Sequence, residues 1–86
     1  MIYRIEFAPK AHRQLLKLSR EVQARLSPRI QALSQNPRPP GVKKLAGEED
    51  LYRIRVGDYR IIYEIRDKFL VVLIVGIGPR REVYRG

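Results

Sequence analysis

The 86-residue sequence contains no cysteine and a single histidine. Without cysteine the chain can form neither a disulfide framework nor a thiolate metal site. His12 has no obvious companion ligands because the carboxylates are scattered along the sequence, so we expect no metal and no cofactor. Ser19, Ser27 and Ser34 fall in a helical region that offers no base, which argues against a nucleophilic triad.

Long apolar segments are also missing. The longest apolar run, residues 69–75, is far shorter than the roughly 20 residues of a membrane span, so we expect a buried strand and no membrane association. The first residues, MIYRIEFAPK, place Arg4 and Glu6 where a secretory signal needs an apolar core, which favours a cytoplasmic protein. Gly76-Ile77-Gly78 lacks the third glycine and the helix of a dinucleotide fingerprint, and we interpret it as a turn.

Acidic residues are scarce relative to basic ones. Nine Asp and Glu face 18 Lys and Arg, which leaves a net charge of +9. Such an excess attracts polyanions, and acidic proteins are polyanions as well as nucleic acids. Most of the basic residues are arginine, whose planar fork matches phosphate. We therefore expect nucleic acid, or a machine built of it, as the partner.

The first half of the chain carries one strand pattern and two helix patterns. Alternation over residues 2–7 predicts a strand with Tyr3, Ile5 and Phe7 on one face. Helical spacing then follows twice, first after Pro9 and again after Ser19 as an N-cap, which predicts a helical hairpin. Pro28 should kink the second helix or start a new one. The connector at residues 36–41 is too short to separate two domains, so we expect one domain over residues 1–86.

From Val42 onward the periodicity is that of strands. The sequence predicts two alternating strands joined at Gly57-Asp58 by a type II′ turn, and a third, apolar strand after a turn at Asp67-Lys68. The predicted fold class is α+β, in which an N-terminal strand, a helical hairpin and a three-stranded antiparallel meander complete a four-stranded sheet. Alternation also places the tyrosines at positions 3, 52, 59 and 63 on core faces.

The hairpin concentrates positive charge. If Gly57 and Asp58 form the loop, Arg55 lies directly opposite Arg60, with Arg53 two residues along the same face. Like charges in cross-strand register destabilise a sheet, so we interpret the cluster as an anion-binding site. The same register brings the third strand past Arg60 near Val75, so that Arg80, Arg81 and Tyr84 of the tail should join the cluster, while Lys43 and Lys44 line the approach. The alternative is a solvated face whose arginines pair with Glu48, Glu49, Asp50 or Glu64.

Several of these motifs together resemble the RelE/ParE superfamily of toxins from toxin–antitoxin modules, and its RelE branch in particular. The resemblance rests on the stretch LYRIRVGDYRIIY at residues 51–63, on VKKLAG at 42–47 and on the tail RREVYR at 80–85. It implies a compact fold similar to microbial RNases. It also implies a ribosome-dependent, metal-independent endoribonuclease that cuts messenger RNA in the ribosomal A site and thereby inhibits translation.

The resemblance also implies roles for individual residues. Arg53 and Arg55 occupy positions where a well-known member has lysines, and Arg60 matches an arginine that holds the scissile phosphate. Arg80 matches an arginine linked to protonation of the leaving group, and Tyr84 matches a tyrosine proposed as general base. Some relatives have histidine where this chain has Pro79, so histidine acid chemistry is not expected here. The catalytic candidates are therefore Arg53, Arg55, Arg60, Arg80 and Tyr84, and the RNA-binding candidates are Lys43, Lys44 and Arg81.

The implied partners are a cognate acidic, RelB-like antitoxin, the ribosome and messenger RNA. Operator DNA is expected only through the antitoxin complex, because the sequence shows no helix-turn-helix.

Two alternative functions remain open. One is a ParE-like poison of DNA gyrase on the same scaffold, which the joint presence of Arg60, Arg80 and Tyr84 disfavours. The other is a non-catalytic RNA-binding module, for which replacing Tyr84 would change nothing.

Overall fold

The computed structural model describes residues 2–45, 47 and 50–79. The described elements, in chain order, are strand β1 (Arg4–Phe7), helices α1 (Pro9–Leu16) and α2 (Arg20–Ala32), and strands β2 (Lys43–Lys44), β3 (Leu51–Val56), β4 (Tyr59–Arg66) and β5 (Val71–Pro79). A short 3₁₀ turn, Asp67–Phe69, joins β4 to β5. The α+β class is therefore as predicted.

The sheet has one strand more than predicted, and it contains a parallel pair whose direction the prediction left open. It has five strands in the order β1-β5-β4-β3-β2. The additional strand is β2, whose two lysines pair with β3 and are too few to show any periodicity. β1 lies parallel to β5, with Arg4 opposite Val71, so the sheet is mixed. β3, β4 and β5 pair antiparallel, as expected of a meander.

Local sequence chemistry explains the helix boundaries. The Ser19 hydroxyl accepts a hydrogen bond from the Val22 amide at 3.2 Å, which is the predicted N-cap of α2. Pro9 lies in the first turn of α1, where its missing N–H costs nothing. α2 continues through Pro28 to Ala32, so the alternative of a fresh helix beginning there is wrong.

Both helices lie on one face of the sheet and enclose the core. The buried cluster takes Ala11 from α1, Leu26 and Ile30 from α2, and the inward residues of β3, β4 and β5. Tyr63 is fully buried, and the rings of Tyr3, Tyr52 and Tyr59 pack against the cluster, as the alternation predicted.

Of the two turns predicted between the strands of the meander, the first is confirmed and the second is longer than predicted. Gly57 has a φ of +60°, whereas Asp58 is not among the described residues with positive φ, which is the pattern of the predicted type II′ turn. The turn at Asp67-Lys68 was predicted too short, because the chain forms the 3₁₀ turn and then places Leu70 in the left-handed region. A register shift follows between Ile62 and Tyr63. Together these displace the register by three residues, so that Arg60 pairs with Gly78 and not with Val75.

Two polar contacts tie the edges of the fold together. The Gln14 side-chain oxygen accepts a hydrogen bond from the Ile77 amide at 2.8 Å, which covers the part of β5 that extends beyond β1. The Ser34 hydroxyl donates to the Tyr3 carbonyl at 2.7 Å and so joins the end of α2 to the start of β1. Among the described residues, the longest helix has 13 residues, and none is long and apolar enough to cross a membrane.

Candidate functional site

Two arginines face each other across the β3–β4 hairpin, as predicted. The register pairs Arg55 with Arg60, next to the Val56–Tyr59 pair that closes the two-residue loop. In such a hairpin the closing pair is hydrogen-bonded and the next pair is not, so the Cα atoms of Arg55 and Arg60 lie about 4.5 Å apart. Arg53 lies on the same face of β3, which is the face opposite the helices. The hairpin therefore concentrates three positive charges over one patch of sheet.

The three arginines differ in exposure. Arg53 is 4% exposed and Arg60 is 2% exposed, whereas Arg55 is open to solvent. Burial of a charged group is costly unless the group is paired and hydrogen-bonded. Of the three arginines, Arg55 is the one that an external anion can reach directly.

The two predicted RNA-binding lysines lie on opposite faces of the sheet. Lys43 pairs with Arg53 and therefore shares the face of the arginines, whereas Lys44 pairs with Tyr52 on the helix side. Both are exposed. The structure thus brings Lys43 to the cluster and leaves Lys44 away from it.

Sequence analysis missed the contribution of two glycines. Gly76 and Gly78 were interpreted as a turn, but both lie within β5, where Gly76 is opposite Ile62 and Gly78 is opposite Arg60. They occupy the same face as the arginines, so this face of β5 carries no side chain beside Arg60. The signal was available in the sequence, because glycines two residues apart point to one face of a strand. Gly76 is half-buried and Gly78 is buried, so the strand passes close beside the enclosed Arg60 at this point.

Two of the four acidic residues named as alternative partners of the arginines, Asp50 and Glu64, lie among the described residues. Glu64 pairs with Arg66, next to it on the same face of β4, and not with the cluster. Asp50 is exposed and has a φ of +64° at the start of β3. Glu48 and Glu49 lie outside the described residues.

The connector at residues 36–41, which leads into β2, is held by a second polar network. Arg38 donates to both carboxylate oxygens of Asp67, with the shorter contact at 2.9 Å, and the Tyr3 hydroxyl donates to the same carboxylate at 2.6 Å. The Arg38 guanidinium also lies 5.3 Å from the ring centre of Tyr52. These contacts, with Arg38 first, hold the pKa of Asp67 below its ordinary value, and the bond to Asp67 raises the pKa of Tyr3.

A buried tyrosine of β4 also holds the connector. The Tyr63 hydroxyl donates to the Pro37 carbonyl at 2.7 Å, and its ring stacks on Tyr52. Burial raises the pKa of the Tyr63 phenol far above its ordinary value. The connector therefore enters β2 in a defined position, which sets where Lys43 meets β3.

The remaining predicted site residues are Arg80, Arg81 and Tyr84, which lie outside the described residues. The last described residue, Pro79, pairs with Tyr59. The chain thus leaves β5 beside the hairpin turn and one residue from the Gly78–Arg60 pair.

Comparison with known proteins identifies the scaffold. The family model described as "ParE toxin of type II toxin-antitoxin system, parDE" matches residues 5–84. The chain belongs to the RelE/ParE toxin superfamily and is RelE-like. It is 31% identical to the mRNA interferase toxin RelE of Escherichia coli, over 98% of this chain and 92% of that protein.

Solved RelE structures share the fold. The chain superposes on RelE from the RelE–RelB complex of Pyrococcus horikoshii with a TM-score of 0.81 and 33% identity, covering 95% of this chain and 99% of that one. For the RelBE2 toxin–antitoxin complex of Mycobacterium tuberculosis the TM-score is 0.80 at 29% identity, covering 93% and 100%. This RelE-like chain is accordingly a toxin component of a toxin–antitoxin system.

Proposed function

We propose that this toxin is a metal-independent endoribonuclease that needs no cofactor and cuts messenger RNA in the A site of the ribosome. The observation that carries the proposal is the Arg55–Arg60 pair, flanked by Arg53 and Lys43 on one face of the sheet. The name of the Escherichia coli relative, an mRNA interferase, supports the same activity at 31% identity.

The chemistry that suits this site is attack by the adjacent 2′-hydroxyl. The 2′-oxygen bonds to phosphorus while the bond to the 5′-oxygen breaks, which gives a 2′,3′-cyclic phosphate and a free 5′-hydroxyl. The intermediate phosphorane carries two negative charges, and fixed guanidinium groups stabilise charge that develops in this way. We assign this role to Arg53, Arg55 and Arg60.

Proton transfer is assigned to the tail. Tyr84 takes the proton of the 2′-hydroxyl, and Arg80 assists protonation of the leaving 5′-oxygen. A phenol near pKa 10 is a weak base at neutral pH, but neighbouring cations favour its phenolate form. The ribosome supplies the rest by orienting the 2′-hydroxyl for in-line attack, which removes much of the entropic barrier.

The near-complete burial of Arg60 adds a condition to this mechanism. A phosphate can reach the exposed Arg55, but contact with Arg60 requires a rearrangement of its surroundings. We propose that docking on the ribosome drives this step, so that the toxin is inactive toward free RNA.

The partners follow from the charge and from the relatives. The relatives in the Pyrococcus horikoshii and Mycobacterium tuberculosis structures are bound to RelB-like antitoxins. We propose that a cognate acidic antitoxin covers the basic face of this chain in the cytoplasm. Such an antitoxin folds on binding and supplies the contacts to operator DNA.

Primer extension on cellular messages after brief induction tests the activity. We expect cuts within translated frames for the wild type and their loss in Arg55→Ala and Tyr84→Phe. Arg55→Ala is preferred to a change at Arg60 because Arg55 is exposed and its removal leaves no buried cavity. Arg4→Ala is the matched control, since Arg4 carries the same charge and pairs with Glu6 on β1, outside the cluster.

The alternatives predict different results. Intact messages together with inhibited supercoiling would identify a gyrase poison on the same scaffold. Translation arrest that persists in Tyr84→Phe without any cuts would identify a non-catalytic RNA-binding module.

A further inference from the structure

A cavity of about 340 Å³ lies at the open edge of the sheet, next to the arginine cluster. It is lined by α2, by the connector and by the edges of β2 and β3. Among the described residues that line it, four are basic, namely Arg29, Lys43, Arg53 and Arg55, and none is acidic. Its volume is at the small end of the range for ligand pockets, about 300–1,000 Å³.

Helix α2 continues this basic wall toward the hairpin. Arg25 and Arg29 lie one helical turn apart on the same face, about 6 Å along the axis. The Arg25 guanidinium reaches the turn, since a Cβ added at Gly57 would lie 3.6 Å from its Nη1 atom. Like charges at this spacing destabilise a helix by a few tenths of a kcal/mol. The pair repeats on α2 the unfavourable charge arrangement of the Arg55–Arg60 pair.

Within the described ranges, no carboxylate oxygen lies within 4.0 Å of Arg25, Arg29 or Lys43, whereas three other arginines of these ranges form ion pairs with Glu6, Asp67 and Glu64. Those three basic side chains beside the cavity are thus in a position to attract an external anion.

The rim of the cavity leaves the backbone accessible. Gly41 has a φ of +89°, and a Cβ built on it would meet no atom within 4 Å. This conformation favours glycine, and the missing side chain allows a ligand to approach the connector closely.

We propose that this cavity is a second phosphate-binding subsite, in which Arg29 and Lys43 hold an RNA phosphate next to the one at the Arg55–Arg60 pair. Arg25 extends the track toward the hairpin turn. Arginine forks hold phosphate by paired, charge-assisted hydrogen bonds. The cavity adjoins the cluster, because Arg53 and Arg55 of the cluster also line the cavity. The identity of the ligand as RNA rests on the proposed function.

The test measures the binding of a 2′-O-methyl RNA tetramer, which cannot be cleaved, at several salt concentrations. We compare the wild type with the double variant Arg29→Gln/Lys43→Gln. The slope of log K against log[salt] falls by about 0.7 for each phosphate of a single strand that the protein no longer neutralises. We expect a slope reduction of about 0.7 and a fivefold or greater decrease in affinity.

A matched control removes the same charge elsewhere. Lys10→Gln/Arg13→Gln changes two exposed residues of α1, away from the cavity, and should leave the slope unchanged. Equal slopes for the two double variants, with unchanged unfolding midpoints, would overturn the subsite. An acidic peptide that loses affinity for Arg29→Gln/Lys43→Gln when the RNA does not would also overturn it, because the cavity would then dock a protein.

Sedimentation with ribosomes distinguishes the source of the phosphate. If the Arg29→Gln/Lys43→Gln variant binds less well even to ribosomes without messenger RNA, the subsite holds a phosphate of ribosomal RNA. If its binding is weaker only with ribosomes that carry messenger RNA, the subsite holds a phosphate of the message. Failure of the subsite and failure of the proposed function are separable. Equal slopes with message cuts retained overturn only the subsite, whereas a changed slope without any message cuts overturns only the nuclease.

Discussion

Removal of one hydroxyl group tests how the connector is held against the sheet. Tyr63 is fully buried, and its hydroxyl donates to the carbonyl of Pro37, which is also buried. Tyr63→Phe keeps the ring and its packing but removes the donor. A net hydrogen bond contributes about 1 kcal/mol, and a buried carbonyl left unpaired adds to the cost, so we expect about 1.5 kcal/mol of destabilisation.

The assay is guanidinium unfolding followed by a thermal melt. For a domain of this size each kcal/mol lowers Tm by roughly 4–8 °C, so Tyr63→Phe should lower it by about 6–12 °C with an unchanged m value. Tyr59→Phe is the matched control, because Tyr59 lies on the same strand and its hydroxyl forms no hydrogen bond within the described residues. Equal stability of the two variants would refute the idea that the Pro37 contact fixes the connector.

Three further predictions concern the hairpin turn at Gly57, the stability at low pH and the arginine cluster. Gly57→Ala should cost about 1–2 kcal/mol by thermal melt, because position 57 requires a φ of +60°. Since the Asp67 pKa is lowered in the fold, its contribution is full above about pH 4 and is lost as pH falls below that value. Asp67→Asn should remove this loss of unfolding free energy at low pH, which amounts to less than about 1 kcal/mol because the carboxylate is half-exposed. Equal acid denaturation of wild type and variant would contradict this expectation. Arg55→Gln should lower the cleavage rate on programmed ribosomes by about 100-fold, and a folded variant that is fully active would contradict the assignment.

The parts of the fold that depend on local chemistry were predictable. A two-residue turn fixes the register of its hairpin, so the sequence was sufficient to place Arg55 opposite Arg60. The cap at Ser19 was likewise visible, because the hydroxyl acts within one helical turn.

The parts that depend on distant contacts were not. Nothing local to residues 4–7 indicates a parallel pairing with β5, and the bulge between Ile62 and Tyr63 depends on how the sheet curves over the helices. The bulge, with the longer turn at residues 67–70, explains why the expected Val75 neighbour of Arg60 is in fact Gly78.

The site shows the same division. The arginines on β3 and β4 follow from alternation, whereas the contribution of α2 was missed because that helix was predicted from its N-cap and its apolar face, without its basic residues. Arg25 and Arg29 were recognisable as a basic pair at helical spacing. What the sequence does not contain is the contact of that helix face with the hairpin, which only the packing of α2 against β3 creates.

The parallel pairing of β1 with β5 has a consequence for biogenesis. β1 is the first described element to leave the ribosome, yet within the described sheet its one neighbouring strand is β5, the last. Such long-range closure is entropically costly and slow. A nascent copy of this toxin therefore cannot place β1 in its sheet until β5 has been synthesised, so the N-terminal strand stays without its partner while the strands between them are made.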